Sequence, residues 1–369
     1  MGNKPFISYP ISNRRTFLKD VITGTTGLAL GSMAFRGFSK TTTDNAIADT
    51  SPADSRKMRK VTHPGPGNVS LYSSSDQREA SYKALKPLQS EIEKSIGDKQ
   101  VVLKLNLTQT RPENQKGATD VNFTRGILDF LNLFYDRQVI IGESCPNPME
   151  GFTNYGYLPL EREYDVKLLD LNEVGVTRMW VQDAIYNPLG INIVNTYLDP
   201  DVYMVSPTRI KTHDRVIATL SFKNIALGAP IGTQRGEKNK MHQGENGGGK
   251  NCSYNMFRLA TFGIQPDLAV LDGIRGMEGN GPNRGDVKEG KIALASTDWV
   301  AADRIGIELM GIDYNRIKYL QFCSAAGMGT DDISRMNLIG EDYRNHISAY
   351  ALNDNIDRQL EWLHEDYGI

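Results

Sequence analysis

From about Asp76 onward, two hydrophobic patterns alternate along the chain. Short apolar runs bounded by turn residues predict strands: VVLKLNL (101–107), QVIIGES (138–144), VKLLDLN (166–172), DVYMVSP (201–207), DLAVLDGI (267–274) and KIALAST (291–297). Between them lie segments with helical spacing. DQREASYKALKPLQSEIEKSIG (76–97) is a charged-faced helix interrupted at Pro87, and VNFTRGILDFLNLFYD (121–136) is a second. In TDWVAADRIGIELMG (297–311), Trp299, Ala302, Gly306 and Leu309 make one apolar stripe, with Asp303, Arg304 and Glu308 on the other sides and Thr297 or Asp298 as the cap. Strands alternating with helices predict an α/β fold, a mainly parallel sheet flanked by helices, over one domain at 76–369.

The pattern differs before Asp76. SNRRTFLK (12–19), followed by the Gly- and Thr-diluted apolar stretch VITGTTGLALGSMAF, resembles a twin-arginine signal built on Arg14 and Arg15 and occupying 1–36. This implies export to the periplasm, with the twin-arginine machinery as a partner and membrane contact only through an uncleaved signal segment. That route carries folded chains, often ones loaded with a cofactor. Residues 37–75, rich in Ser, Thr, Pro and Gly, read as linker, with a solvated His63.

Composition then narrows the function. With 42 basic and 44 acidic residues the formal charge is -2, which gives no field for nucleic acid. Cys145, Cys252 and Cys323 show no C-x-x-C spacing, so neither a zinc knuckle nor an intrinsic iron–sulfur cluster is expected, and no disulfide framework.

In open parallel sheets ligands gather at the carboxyl ends of strands. Those ends carry Lys104 and Asn106, Glu143 and Ser144, Asp170 and Asn172, Arg209 to His213, Asp272, and Ser296 with Asp298. Singly, each also fits a turn, cap or surface role. The densest group is IKTHDRVIATLSFKN (210–224) and the Gly-rich segment after it, which bring Lys211, His213, Lys223, Asn224 and His242 into about thirty residues. Imidazole can act as a base or metal ligand, and a lysine among apolar neighbours can have a lowered pKa. The alternative assigns His213 to a turn, Lys223 to a snorkelling position and His242 to a loop. A second Gly-rich loop, LDGIRGMEGNGPNRGD (271–286), offers Asp272 and Glu278 as acid/base or ligand carboxylates; Pro282 stands where a phosphate-capping helix should start, so it is no dinucleotide fingerprint.

Together LKLNLT, GYLPL before VKLLDLN, RIKTH with LSFKNIALG, VLDGIRGMEGNGPNRG and STDWVAADRIGIELMG resemble the domain-of-unknown-function 362 family over residues 80–330. Many relatives carry ferredoxin-like clusters, whose cysteines this chain lacks. The order of His213, Lys223 and His242 is also similar to nickel-pincer lactate racemases. That resemblance implies acid/base work by His213, covalent cofactor attachment at Lys223 and metal ligation by His242; His213 is the other candidate ligand. The cofactor stays open, with nickel one metal so implied.

Two function classes follow. One is an exported isomerase, lyase or oxidoreductase acting on a small anionic or oxygenated substrate, with His213, Lys223 and Asp272 as catalytic groups and Lys104, Asn106, Lys211, Asn224 and Glu278 as ligand-binding groups. The other is a periplasmic anion-, metal- or cofactor-binding protein without catalysis.

Overall fold

Eleven strands and eleven α-helices were located in a computed structural model, which describes residues 67–364 apart from 108, 234 and 245–247. The signal segment at 1–36, His63 and the linker up to 66 lie outside the described residues. The strands are β1 (Asn68–Ser73), β2 (Gln100–Lys104), β3 (Val139–Glu143), β4 (Val166–Asp170), β5 (Val176–Gln182), β6 (Pro188–Val194), β7 (Val202–His213), β8 (Ile217–Thr219), β9 (Leu268–Glu278), β10 (Asp286–Ser296) and β11 (Asn337–Gly340). The helices are α1 (Gln77–Leu85), α2 (Gln89–Ile96), α3 (Val121–Leu131), α4 (Pro148–Asn154), α5 (Leu160–Glu163), α6 (Ser221–Gly228), α7 (Arg235–His242), α8 (Gly249–Thr261), α9 (Trp299–Leu309), α10 (Lys318–Ala325) and α11 (Ile356–Leu360).

Nine strands form one large, mainly parallel sheet in the order β11-β1-β10-β9-β7-β2-β3-β4, with β8 folded back on β7. Parallel pairing joins β9, β7, β2, β3 and β4, while β10 is antiparallel to both β9 and β1. The remaining two, β5 and β6, form an antiparallel hairpin of their own. Both faces of the sheet are covered, which is why its central strands are apolar at successive positions rather than alternately. In β2, Val102 packs into one core with Phe222, Ile225, Leu259, Trp299 and Ile305. Its neighbours Val101 and Leu103 face the opposite core, with Ala84, Ile92, Phe123 and Ile127. Each such side chain, taken from water to full burial, contributes about 1.5–3 kcal/mol.

Local chemistry sets the helix ends. Asp120 caps α3 by accepting from the N–H groups of Asn122 and Phe123, and Asp298 caps α9 through Ala301 N. Helices α1 and α3 cross where Gly126 has no side chain: a Cβ there would lie 2.0 Å from the Arg78 carbonyl oxygen and 2.1 Å from Ser81 Oγ.

Four features depart from the sequence reading. The linker expectation fails at Asn68–Ser73, where β1 buries Val69 and Leu71 inside the sheet. Strand β7 does not stop at Pro207 but runs buried to His213, since Arg209, Lys211 and His213 find partners or a cleft wall within the fold. Most of the second Gly-rich loop is strand, with Asp286 opposite Glu278 across β9 and β10. Its glycines admit neighbouring segments: Cβ atoms at 276 and 281 would meet Tyr350 Oη at 2.1 Å and the Thr212 carbonyl at 2.2 Å. Finally, Asp303 is not on a solvent face of α9. It is fully buried, and its carboxylate accepts from Ser221 N (2.9 Å), Ser221 Oγ (2.5 Å) and Phe222 N (3.0 Å) at the start of α6.

Candidate functional site

The sheet order sets β7 beside β2 and β2 beside β3, and β7 runs on past the end of β2 to His213, so that its last residues, the ends of β2 and β3 and residues of α6 and α7 share one opening. Above them opens a cleft of about 870 Å³ whose walls include Lys104, Asn106, Lys211, His213, Lys223, Asn224 and His242. These seven sequence candidates meet at one site. Thr219, Lys238, Glu143, Arg111 and Arg215 join them.

The floor is a closed polar network. Lys104 Nζ lies 2.8 Å from Glu143 Oε1 and donates to Asn224 Oδ1 at 2.9 Å. Asn224 in turn donates to the Lys104 carbonyl (3.0 Å) and Ser206 Oγ (3.1 Å), and accepts from Asn106 Nδ2 at 3.0 Å. Lys211 Nζ donates to Asn106 Oδ1 (2.9 Å) and the Gly117 carbonyl (2.7 Å), while burial, then Lys223 and Arg209, push its pKa well down. The other Glu143 oxygen accepts from Leu107 N at 2.6 Å. A network with every member satisfied holds its groups rigidly in low dielectric.

The wall that carries the histidines is built on a strained turn. Ile217 sits at φ 68° between Val216 and Ala218, whose carbonyl and N–H bond directly at 2.7 Å, closing a γ-turn that returns the chain from β7 to β8. A β-branched residue there costs on the order of 1–3 kcal/mol. Gln359, buried in α11, offsets that cost: its Oε1 accepts from Ile217 N at 2.9 Å and its Nε2 donates to the His213 carbonyl at 3.1 Å.

Hydrogen bonds assign the two imidazoles opposite tautomers. His213 Nδ1 accepts from Arg215 N at 3.0 Å, so the neutral ring carries its proton on Nε2. His242 Nδ1 lies 2.6 Å from the Lys238 carbonyl, which can only accept; the proton is on Nδ1 and Nε2 is a bare lone pair. Burial, reinforced by Lys223 and the opposing histidine, lowers the His213 pKa well below its usual value. Burial also lowers that of His242 to about 3, so both rings are neutral at physiological pH. His242 therefore has the arrangement of a metal ligand, with Nδ1–H on a backbone carbonyl. His213 could ligate through Nε2 only by giving up its bond from Arg215. Among the described residues no three His, Cys, Asp or Glu are grouped to hold a metal ion, so a metal here would complete its shell with atoms of its own ligands.

Two lysines differ from those of the floor. Lys223 and Lys238 have no hydrogen-bond or ion-pair partner among the described residues, and burial brings both down to about 8. Thr219 Oγ1, buried in the same wall, is likewise unpartnered. No spacing rule pointed to Thr219 or Lys238, because only the fold brings them to the cleft.

Asp272 and Glu278 do not line the cleft. Asp272 is buried with Arg209 at 3.2 Å and accepts from Ile274 N; burial raises its pKa, against the pull of the guanidinium. Arg209 is likewise committed, to Asp272, to Asp120 at 3.6 Å and to the Lys116 carbonyl at 2.7 Å, and is not free for a ligand. Glu278 pairs with Lys288 at 3.0 Å and accepts from Ala351 N; burial opposes these contacts, which still hold its pKa below the usual value. Asp170 and Asn172 close a turn, with Asn172 Oδ1 receiving Gly232 N at 2.7 Å. Ser296 and Asp298 bond the start of α9 and its surroundings.

Residues 101–308, more than half of the chain, match the family described as a domain of unknown function (DUF362). Thylakoid-associated protein sll1697 of Synechocystis sp. is 29% identical over 160 residues, 43% of this chain; the match spans 46% of that relative, less than half its length. Two solved structures are similar. A Thermotoga maritima protein aligns with 67% of this chain and 58% of its own at 8% identity and a TM-score of 0.36. The lactate racemase apoprotein from Thermoanaerobacterium thermosaccharolyticum aligns with 71% of this chain and 59% of its own at 13% identity and a TM-score of 0.37.

Proposed function

The chain belongs to the DUF362 family, and we propose that in this member the strand-end cleft is the site of an exported enzyme that moves a proton on a small anionic, oxygenated substrate. The observation that carries the reading is the pair of neutral histidines in opposite tautomers: His242 Nε2 can accept a proton while His213 Nε2–H can give one. An acid and a base in one cleft suit isomerisation or elimination, in which a proton leaves one position and another arrives. Lys223 supplies a charge that strengthens as negative charge develops on the substrate. Anion preference is supported by the lining, where Lys104, Arg111, Lys211, Arg215, Lys223 and Lys238 face only Glu143, Glu150 and Asp214 as carboxylates. Should a metal-bearing cofactor be bound, His242 Nε2 is the group to hold it, and the metal would supply electrophilic assistance. Export is supported by Arg14 and Arg15 ahead of the apolar stretch.

The test is proton exchange. A panel of small hydroxy and keto acids, sugar acids and sugar phosphates is incubated with the exported protein in D₂O, and loss of carbon-bound protons is followed by NMR. At least one compound should exchange, and His213→Gln and His242→Gln should each slow it by about 10²-fold or more, the usual contribution of a positioned acid or base. Ligand binding without exchange would instead support the binding-protein reading.

A further inference from the structure

The cationic groups of the cleft are not equivalent, and the difference specifies the ligand. Lys104 and Lys211 already spend their donors on Glu143, Asn106, Asn224 and the Gly117 carbonyl. By contrast, Lys223 Nζ, Lys238 Nζ and the buried Thr219 hydroxyl line the same cleft with no partner among the described residues. The nearby carboxylates are engaged. Glu143 holds Lys104, Glu150 accepts from Thr110 Oγ1 at 2.7 Å, and the half-exposed Asp214 lies 3.9 Å from Arg215 Nε. Two ammonium groups and a hydroxyl thus line one cleft with no hydrogen-bonded or ion-paired partner among the described residues, Lys223 and the Thr219 hydroxyl buried and Lys238 half-buried.

A single carboxylate carries one charge and would leave one ammonium unneutralised. A phosphate monoester carries close to two and presents three oxygens to donors in several directions, which suits lysine, a point charge with rotatable N–H groups. Resting on the reading of this cleft as an anion site, we infer that its ligand bears a phosphate group, held by Lys223, Lys238 and Thr219. The phosphate is then the handle that positions the reacting part of the molecule between the two imidazoles.

Calorimetry on the full chain at constant ionic strength tests this with inorganic phosphate, malonate and acetate as probes. Phosphate should bind at least tenfold more tightly than acetate. Lys223→Met and Lys238→Met should each weaken phosphate about tenfold, and Thr219→Val severalfold, with melting temperatures no lower than that of the wild type; His213→Gln should keep phosphate binding while losing proton exchange. Malonate, also a dianion, separates charge from shape: binding equal to phosphate would overturn the phosphate assignment. Acetate binding as well as phosphate, or phosphate binding unaffected in both lysine variants, would also overturn it while leaving the anion site intact. No binding of any of the three would remove both readings.

Discussion

Lys223 shows how one residue's surroundings become a measurable property. Its amine is buried without a hydrogen bond, and burial outweighs the favourable fields of Cys252 and Asp214, so it titrates near 8 rather than near 10.5. Burial lowers the histidines as well, His242 to about 3 and His213 well below its usual value, so neither ring adds a charge at neutral pH. Anion binding should therefore fall as pH rises through about 8, when Lys223 and Lys238 lose their charge. Mass spectrometry of Lys223 after brief acylation across pH checks the same quantity, and a labelling midpoint near 10.5 would show that the environment is not the one described. Stability follows with the opposite sign. Because both lysine pKa values are lowered on folding, their burial costs stability below about 8, and that cost is relieved as pH rises from about 8 to 10.5.

At the scale of elements, α6 and the β7–β8 turn are held in place by groups from distant parts of the chain. Asp303 on α9 takes both the first N–H groups and the first hydroxyl of α6, the helix that carries Lys223 and Asn224. Asp303→Ala leaves those donors unpaired in the core and should cost about 2 kcal/mol, read from the urea midpoint. Burial raises the Asp303 pKa from 3.8 to about 7, against its hydrogen bonds. Its stabilising contribution is therefore full below about pH 4 and lost as pH rises through 7, so wild type should lose stability from pH 5 to 8 relative to Asp303→Asn; no such difference would mean that the carboxyl titrates normally. Gln359 plays the matching part for the strained turn. Gln359→Leu unpairs Ile217 N and the His213 carbonyl, with an expected cost of about 2–3 kcal/mol and slower exchange than His213 alone would explain through folding loss. Normal stability in that variant would mean that water replaces the clamp.

For the whole molecule, the proposed export is checked by replacing Arg14 and Arg15 with Lys together: the protein should stay in the cytoplasmic fraction of its host, while continued export would remove the twin-arginine assignment. The apolar runs were sufficient to read the central strands, α3, α9 and the α/β class, because both covered faces of a parallel sheet leave that signature in every strand. The strands β1 and β11 and the β5–β6 hairpin were not read, since short segments among Gly, Pro and polar residues resemble loops until a neighbour pairs with them. Strand-end position also singled out Lys104, Asn106, Lys211 and His213, while Lys223, Asn224 and His242 came from the polar group that follows. The sequence alone thus determined the central strands, the α/β class and most of the cleft's floor, because periodicity and strand ends are local properties. Only the tertiary structure decided that Asp272 pairs with Arg209 and Glu278 with Lys288 instead of lining the cleft, that Lys238 and Thr219 join the site, and which nitrogen of each histidine is free. Those outcomes depend on which strands lie side by side and which buried donors find acceptors, and both are settled across the sheet rather than along the chain.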